Sequence, residues 1–256
     1  MIQIGDHLAA PPLYLSYAPG RSSTLVISFS GVGNRIDPVP TPEAIRLMGV
    51  DGENHVLFVS DSSRSWMNGP GLIDKLNAEV GKLAARINPS RIVAFGNSMG
   101  GSAALIYAGQ APVDAVLAIV PQYSVHAEVV PQEKRWMHFR NHITEWPYKA
   151  VPDLAGKGVQ TVILHGGDAR ETMHARLFRQ GPGVDHYVIP QYGHALALCL
   201  KQAGHLGPIT ASLIKGDMPA TRAAIAAAGG ITFTEFRQQF RAARKERRER
   251  QNHGAI

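Results

Sequence analysis

Three residues of this 256-residue chain, Ser98, Asp168 and His194, each follow an apolar, β-prone run, and together they offer a nucleophile, a carboxylate and a base. A serine hydroxyl is a poor nucleophile at neutral pH and needs a base within hydrogen-bond reach, itself oriented by a carboxylate. In that scheme Ser98 attacks a carbonyl carbon. His194 takes the serine proton and returns it to the leaving group. Asp168 holds the imidazole tautomer and stabilises the imidazolium. The order serine, acid, histidine is the one found when all three groups leave the carboxyl ends of a parallel sheet. Ser98 is the centre of Gly96-Asn97-Ser98-Met99-Gly100, between the β-prone run Ile92 to Phe95 and the Ala/Leu-rich stretch from Ser102, so strand, sharp turn and helix form a nucleophile elbow. Each partner also has a plain reading: Asp168 as the cap of the next helix, His194 as a polar loop residue. Rivals for the acid are few, because Asp153 precedes its strand and Asp185 lies inside one.

Acyl transfer also needs donors for the oxyanion of the tetrahedral intermediate, and losing one costs about 3 kcal/mol. The backbone N–H of Met99, just after the nucleophile, is the first candidate. The second is Val32, with Gly31 as runner-up, in Ser30-Gly31-Val32-Gly33, where two glycines let the backbone approach closely. No Gly-Lys-Ser/Thr follows those glycines, which argues against a nucleotide loop. His138 and His142 are four apart but lack a paired carboxylate, so neither a metal nor an organic cofactor is expected.

The elements that must position these groups follow from periodicity. Ile2–Ile4 and Leu13–Tyr17, separated by Pro11-Pro12, predict an antiparallel entry to a sheet. Buried strands are expected at Thr24–Phe29, Asn54–Ser60, Arg91–Phe95, Val113–Val120, Val159–Leu164 and Val184–Ile189, alternating with helices over Leu72–Ile87, after Ser98, over Glu171–Gln180 and from His194 onward. That alternation predicts an α/β fold: a mostly parallel sheet of about eight strands with helices on both faces. Residues 121–150 lose the periodicity and hold Trp136, Met137, Phe139, Trp146, Tyr148 and three histidines, which predicts a lid or pocket wall. The expected organisation is a domain over 1–206 with that insertion, then a helical extension over 207–256. In the extension, Pro219–Ala228 reads as one helix, and Thr232-Phe233-Thr234-Glu235 as a capping box for another, docked through Phe233, Phe236 and Phe240.

Phe29-Ser30-Gly31, Gly96-Asn97-Ser98-Met99-Gly100-Gly101, Gly167-Asp168 and Gly193-His194 together resemble the α/β-hydrolase fold over about residues 12–203. The resemblance implies a triad serine hydrolase with an eight-stranded sheet and a cap-forming insertion. Two departures stand out: Ser30-Gly31 replaces the His-Gly of many members, and the chain continues past Leu206 for longer than the fold requires.

Composition sets the remaining bounds. The 45% hydrophobic and 18% charged residues fit one globular core. The first residues carry no basic export signal, no apolar run spans a bilayer, and the single cysteine, Cys199, suits a reducing compartment, so a soluble cytoplasmic protein is expected. Seven basic and two acidic residues lie between Arg237 and Arg250, which holds five of the six excess positive charges in that one segment. Such a tail offers a contact for an anionic surface or another subunit. The expected activity is cleavage of a carboxylic ester or thioester, on a small molecule or a polymer-linked acyl group, through an acyl-Ser98 intermediate. Its rivals are an acyltransferase with the same triad and a non-catalytic scaffold that works through the basic tail.

Overall fold

A computed structural model of the protein describes residues 5–33 and 39–253. The predicted run Ile2–Ile4 lies outside the described residues. The strands are β1 (Gly5–Ala10), β2 (Leu13–Ala18), β3 (Thr24–Phe29), β4 (His55–Asp61), β5 (Arg91–Asn97), β6 (Ala115–Ile119), β7 (Gln160–Gly166), β8 (Val184–Ile189) and β9 (Ile231–Thr232). They form one sheet in the order β1-β2-β4-β3-β5-β6-β7-β8-β9, parallel from β4 to β8 and antiparallel at both edges. The helices are α1 (Ile45–Gly49), α2 (Leu72–Ile87), α3 (Met99–Ala108), α4 (Met137–Arg140), α5 (Ala169–Ala175), α6 (Leu196–Gln202), α7 (Leu206–Lys215), α8 (Met218–Ala227) and α9 (Phe233–His253).

The central strands are apolar on both faces because both faces are covered. Leu25, Ile27 and Phe29 of β3 pack with the inward side of α2 (Leu72, Leu76, Val80, Leu83) and with α3. Val26, with Val93 and Phe95 of β5, packs on the opposite side with Met48, Leu196, Leu200, Ile209 and Leu213. Each fully buried aliphatic side chain contributes roughly 1.5–3 kcal/mol, so these two layers hold the helices against the sheet.

The helical extension expected over 207–256 packs into the core of the sheet. Leu206, Ile209, Leu213 and Ile214 of α7 and Ile225 of α8 belong to the same apolar layer as β5 and β6. β9 adds a ninth strand through Tyr187↔Thr232 and Val188↔Ile231. Small residues hid part of this: the Ala-rich α8 presents a weak stripe and a two-residue strand has no period, whereas α7 carries a helical stripe at Leu206, Ile209 and Leu213. The capping box forms as expected, with Thr232 N donating to Glu235 Oε2 (2.8 Å) and Glu235 N donating to Thr232 Oγ1 (3.2 Å). Docking of α9 is shorter than expected: Phe233 is buried, Phe236 is half-buried and Phe240 is 63% exposed. Among the described residues no helix is long and apolar enough to cross a membrane.

Behind the sheet's carboxyl edge lies a buried chain of histidines. His165 Nε2 faces the Pro121 carbonyl (3.1 Å), which only accepts, so it carries the proton and His165 Nδ1 accepts from His186 Nε2 (2.9 Å). His186 Nδ1 in turn faces Gln180 Nε2 (2.9 Å), and its ring stacks on Phe233 at 4.6 Å. Both imidazoles are neutral in this arrangement. Burial is the main cause that lowers His165 from 6.5 to about 4, and burial followed by the His165 neighbour lowers His186 well below its ordinary value. A folded-state value below the unfolded one means that the unfolded chain binds more protons between the two, so stability is complete above pH 6.5 and is lost as pH falls toward 4. Denaturant unfolding at pH 7.5 and pH 5 is expected to differ by about 2 kcal/mol from His165 alone. Equal midpoints would refute the neutral pair.

Candidate active site

Ser98 lies between β5 and α3 with φ 57° and ψ −122°, a backbone that L-residues rarely adopt. Packing holds it there. A Cβ on Gly96 would stand 2.0 Å from the Gly100 carbonyl oxygen, and one on Gly100 would stand 2.2 Å from that of Phe29. Only glycine at both positions lets β5 turn sharply into α3 beside β3. The Ser98 N–H is tied to Ile119 O (2.8 Å), which anchors the turn to β6.

His194 reaches the serine from the loop between β8 and α6. Its Nε2 lies 3.0 Å from Ser98 Oγ, and its Nδ1 lies 2.8 Å from Glu171 Oε1. An ionised carboxylate only accepts, so Nδ1 carries the proton and Nε2 is free to accept the serine O–H. Burial by itself raises the Glu171 carboxyl. The hydrogen bond from His194, then the neighbouring His165 and His194 imidazoles, and least of all Arg135, outweigh it and hold the group below its ordinary range.

The carboxylate facing His194 is thus Glu171, and the expectation for Asp168 is corrected. Asp168 is the N-cap of α5: its Oδ1 accepts from Glu171 N (2.9 Å). Its other oxygen packs so close to Gly193 that a Cβ there would stand 2.3 Å away. Gly166 and Gly167 fit closely against Tyr192 and Pro190, and Gly167 N donates to Tyr192 O (2.8 Å). The His165-Gly166-Gly167-Asp168 segment therefore shapes the histidine loop. Glu171, one turn into the helix, supplies the charge. The spacing Asp168-x-x-Glu171 marks a helix start with Asp168 as its cap, but does not record which carboxylate meets His194.

A second side chain was missed altogether. Gln122, fully buried just after β6, donates from Nε2 to Ser98 Oγ (3.0 Å). Its orientation is fixed because the Trp66 indole N–H, a donor only, faces Gln122 Oε1 at 3.0 Å. Ser98 Oγ is thereby held from two sides, as acceptor from Gln122 and donor to His194.

The two expected oxyanion donors, Val32 and Met99, lie in one apolar cluster with Trp66 and Val125. Met99 begins α3, where the first backbone N–H groups have no acceptor within the helix. Val32 O accepts from buried Arg64 Nε (2.9 Å), which fixes the loop. The runner-up Gly31 is already engaged, since its N–H donates to Glu43 Oε1 (3.0 Å). Burial raises the Glu43 carboxyl despite that hydrogen bond.

Residues 121–150 form a wall with a single turn of helix, α4. Trp136, Phe139, Ile143 and Trp146 pack onto the Val32, Trp66, Met99 and Val125 cluster, and the Trp136 ring lies 6.2 Å from that of His194. Both ends of the wall are fastened: Val151 N donates to Tyr123 O (2.9 Å), Tyr148 N to Asn68 Oδ1 (2.8 Å), and Ser124 Oγ to Lys149 O. His138 and His142 lie with rings 5.4 Å apart, and among the described residues no group of three or more His, Cys, Asp or Glu is placed to hold a metal.

No protein-family model and no curated protein sequence matches this chain. Solved structures do. An esterase of Pyrococcus furiosus matches with a TM-score of 0.55 at 14% identity, covering 84% of this chain and 91% of that one. An α/β-hydrolase enzyme from a Medee basin deep-sea metagenome library matches with a TM-score of 0.54 at 16% identity, over 77% and 85% of the two chains. The chain has the α/β-hydrolase fold. The capsule O-acetyltransferase of Neisseria meningitidis serogroup A is also similar, at a TM-score of 0.55 and 12% identity, over 81% of this chain and 93% of that one. The α/β-hydrolase scaffold hosts many chemistries, so the chemistry depends on the site and not on the fold.

Proposed function

We propose that the protein is a serine hydrolase that cleaves a carboxylic ester or thioester through an acyl-Ser98 intermediate. The observation that carries this reading is the continuous relay Ser98 Oγ, His194 Nε2, His194 Nδ1, Glu171 Oε1, at 3.0 and 2.8 Å, on a serine held at positive φ. His194 takes the hydroxyl proton as Ser98 attacks, and the tetrahedral oxyanion is received by the N–H groups of Met99 and Val32. His194 then protonates the leaving alcohol or thiol. In the second half, water repeats the sequence and releases the acid. Gln122 holds Ser98 Oγ in its attacking rotamer, and the aromatic wall gives the substrate apolar surroundings.

Labelling with a fluorophosphonate probe, read by peptide mass, tests the reading. Modification of Ser98 in the parent chain and its loss in His194→Ala are the expected results. A folded parent whose Ser98 stays unmodified would overturn it. Product analysis with added alcohol acceptors then separates hydrolysis from acyl transfer, since only a transferase yields the new ester as its main product.

A further inference from the structure

The wall over the active site also reaches the triad acid from behind. Arg135 Nη1 lies 3.2 Å from Glu171 Oε1, the same oxygen that accepts from His194. A lone guanidinium there would cancel the charge that His194 needs when it becomes an imidazolium. It is not alone. Glu133, with no exposed surface, takes the other edge of the guanidinium, from Nη2 at 2.6 Å and from Nε at 3.0 Å, and its Oε1 accepts from Arg135 N at 2.6 Å. His174, on the same helix as Glu171, donates from Nε2 to Glu133 Oε2 (2.9 Å), because its Nδ1 is occupied as acceptor by the N–H of Tyr123 (3.2 Å). Arg140 Nη1 donates to the Glu133 carbonyl (2.5 Å). Burial, the largest single influence, raises the Glu133 carboxyl, but the bonds from His174 and Arg135 overcome it and bring it to about 2.

We infer that Arg135 and Glu133 are positioning residues that work as a compensated pair: Arg135 fixes the Glu171 carboxylate, and Glu133 neutralises Arg135 so that Glu171 keeps its full charge for His194. This rests on the proposed triad. The arrangement has a charge logic that packing alone does not require. With Glu133 neutral, the uncompensated arginine opposes the imidazolium. With Arg135 neutral, two carboxylates favour it. The other ionisable groups near Glu171 are His165 from β7, buried and neutral, Asp168 at the start of α5 and His174 on the same helix; all stay in place in the variants below.

The test is the pH profile of kcat/KM for the full chain with p-nitrophenyl acetate. Glu133→Gln is expected to move the acidic limb to lower pH and Arg135→Met to move it to higher pH, each by about half a unit or more. The double variant, which removes both charges, is expected to return the limb near the parent. Arg135→Lys keeps the charge but not the fork, so its limb stays with the parent while kcat falls. The same displacements are read without substrate from the NMR titration of His194, assigned by its absence in His194→Ala. Limbs and titrations that coincide in all folded variants, or that move in one direction for both single changes, would overturn the inference. Failure of the hydrolase reading is separate, because it appears as an unlabelled Ser98 in the parent.

Discussion

Glu171→Gln is expected to lower kcat about 10⁴-fold with KM little changed, because an amide in place of the carboxylate favours the wrong imidazole tautomer and withdraws the charge beneath the imidazolium. Asp168→Asn is expected to lower it far less. Asp168 makes one cap hydrogen bond to Glu171 N, and Asn is as good a cap as Asp. Parallel kinetics on the two purified variants give a direct contrast. A greater loss in Asp168→Asn than in Glu171→Gln would show that the acid is Asp168 and that the 2.8 Å contact of His194 with Glu171 is not the working one.

Ser98→Ala and His194→Ala are each expected to reduce kcat by about 10⁶-fold, the scale on which a nucleophile and its base act as one unit. The double variant is expected to be no worse than either single one. That non-additivity is the useful part. In the proposed relay Ser98 and His194 share one proton across 3.0 Å, so removing either would end the transfer, and what remains would come from the proposed oxyanion donors and binding. Initial rates on one activated ester across the four chains give the cycle. Multiplying losses in the double variant would mean that the two residues act independently, and the relay would have to be abandoned. Ser98→Ala is expected to keep the fold of the parent, with the buried Gln122 Nε2 losing its acceptor. The backbone of the elbow is held by Gly96, Gly100 and the bond to Ile119 rather than by the hydroxyl.

The sequence by itself determined the alternation of strands and helices, because a buried parallel strand and an amphipathic helix each leave a periodic apolar trace. Thr24–Phe29, Leu72–Ile87 and Val184–Ile189 are found at the predicted bounds. It also determined the elbow, since the close contacts at Gly96 and Gly100 are a demand on residue type that appears in the chain as written. Ser98 and His194 were legible for the same reason: each follows a strand of the sheet's carboxyl edge.

Only the tertiary structure decided which carboxylate faces His194. Asp168 and Glu171 are three residues apart, and whether the first or the second meets His194 depends on how α5 leaves β7. No local pattern records that direction. Gln122, Glu133 and Arg135 were equally hidden, since an irregular segment has no period and its polar residues acquire meaning only from what they face. In sequence Arg135 is one charged residue of an irregular run. In space it is held between two buried carboxylates. The same reason accounts for α7 and α8, which join the core because the sheet leaves them a face to cover, and for β9, which extends the sheet's edge.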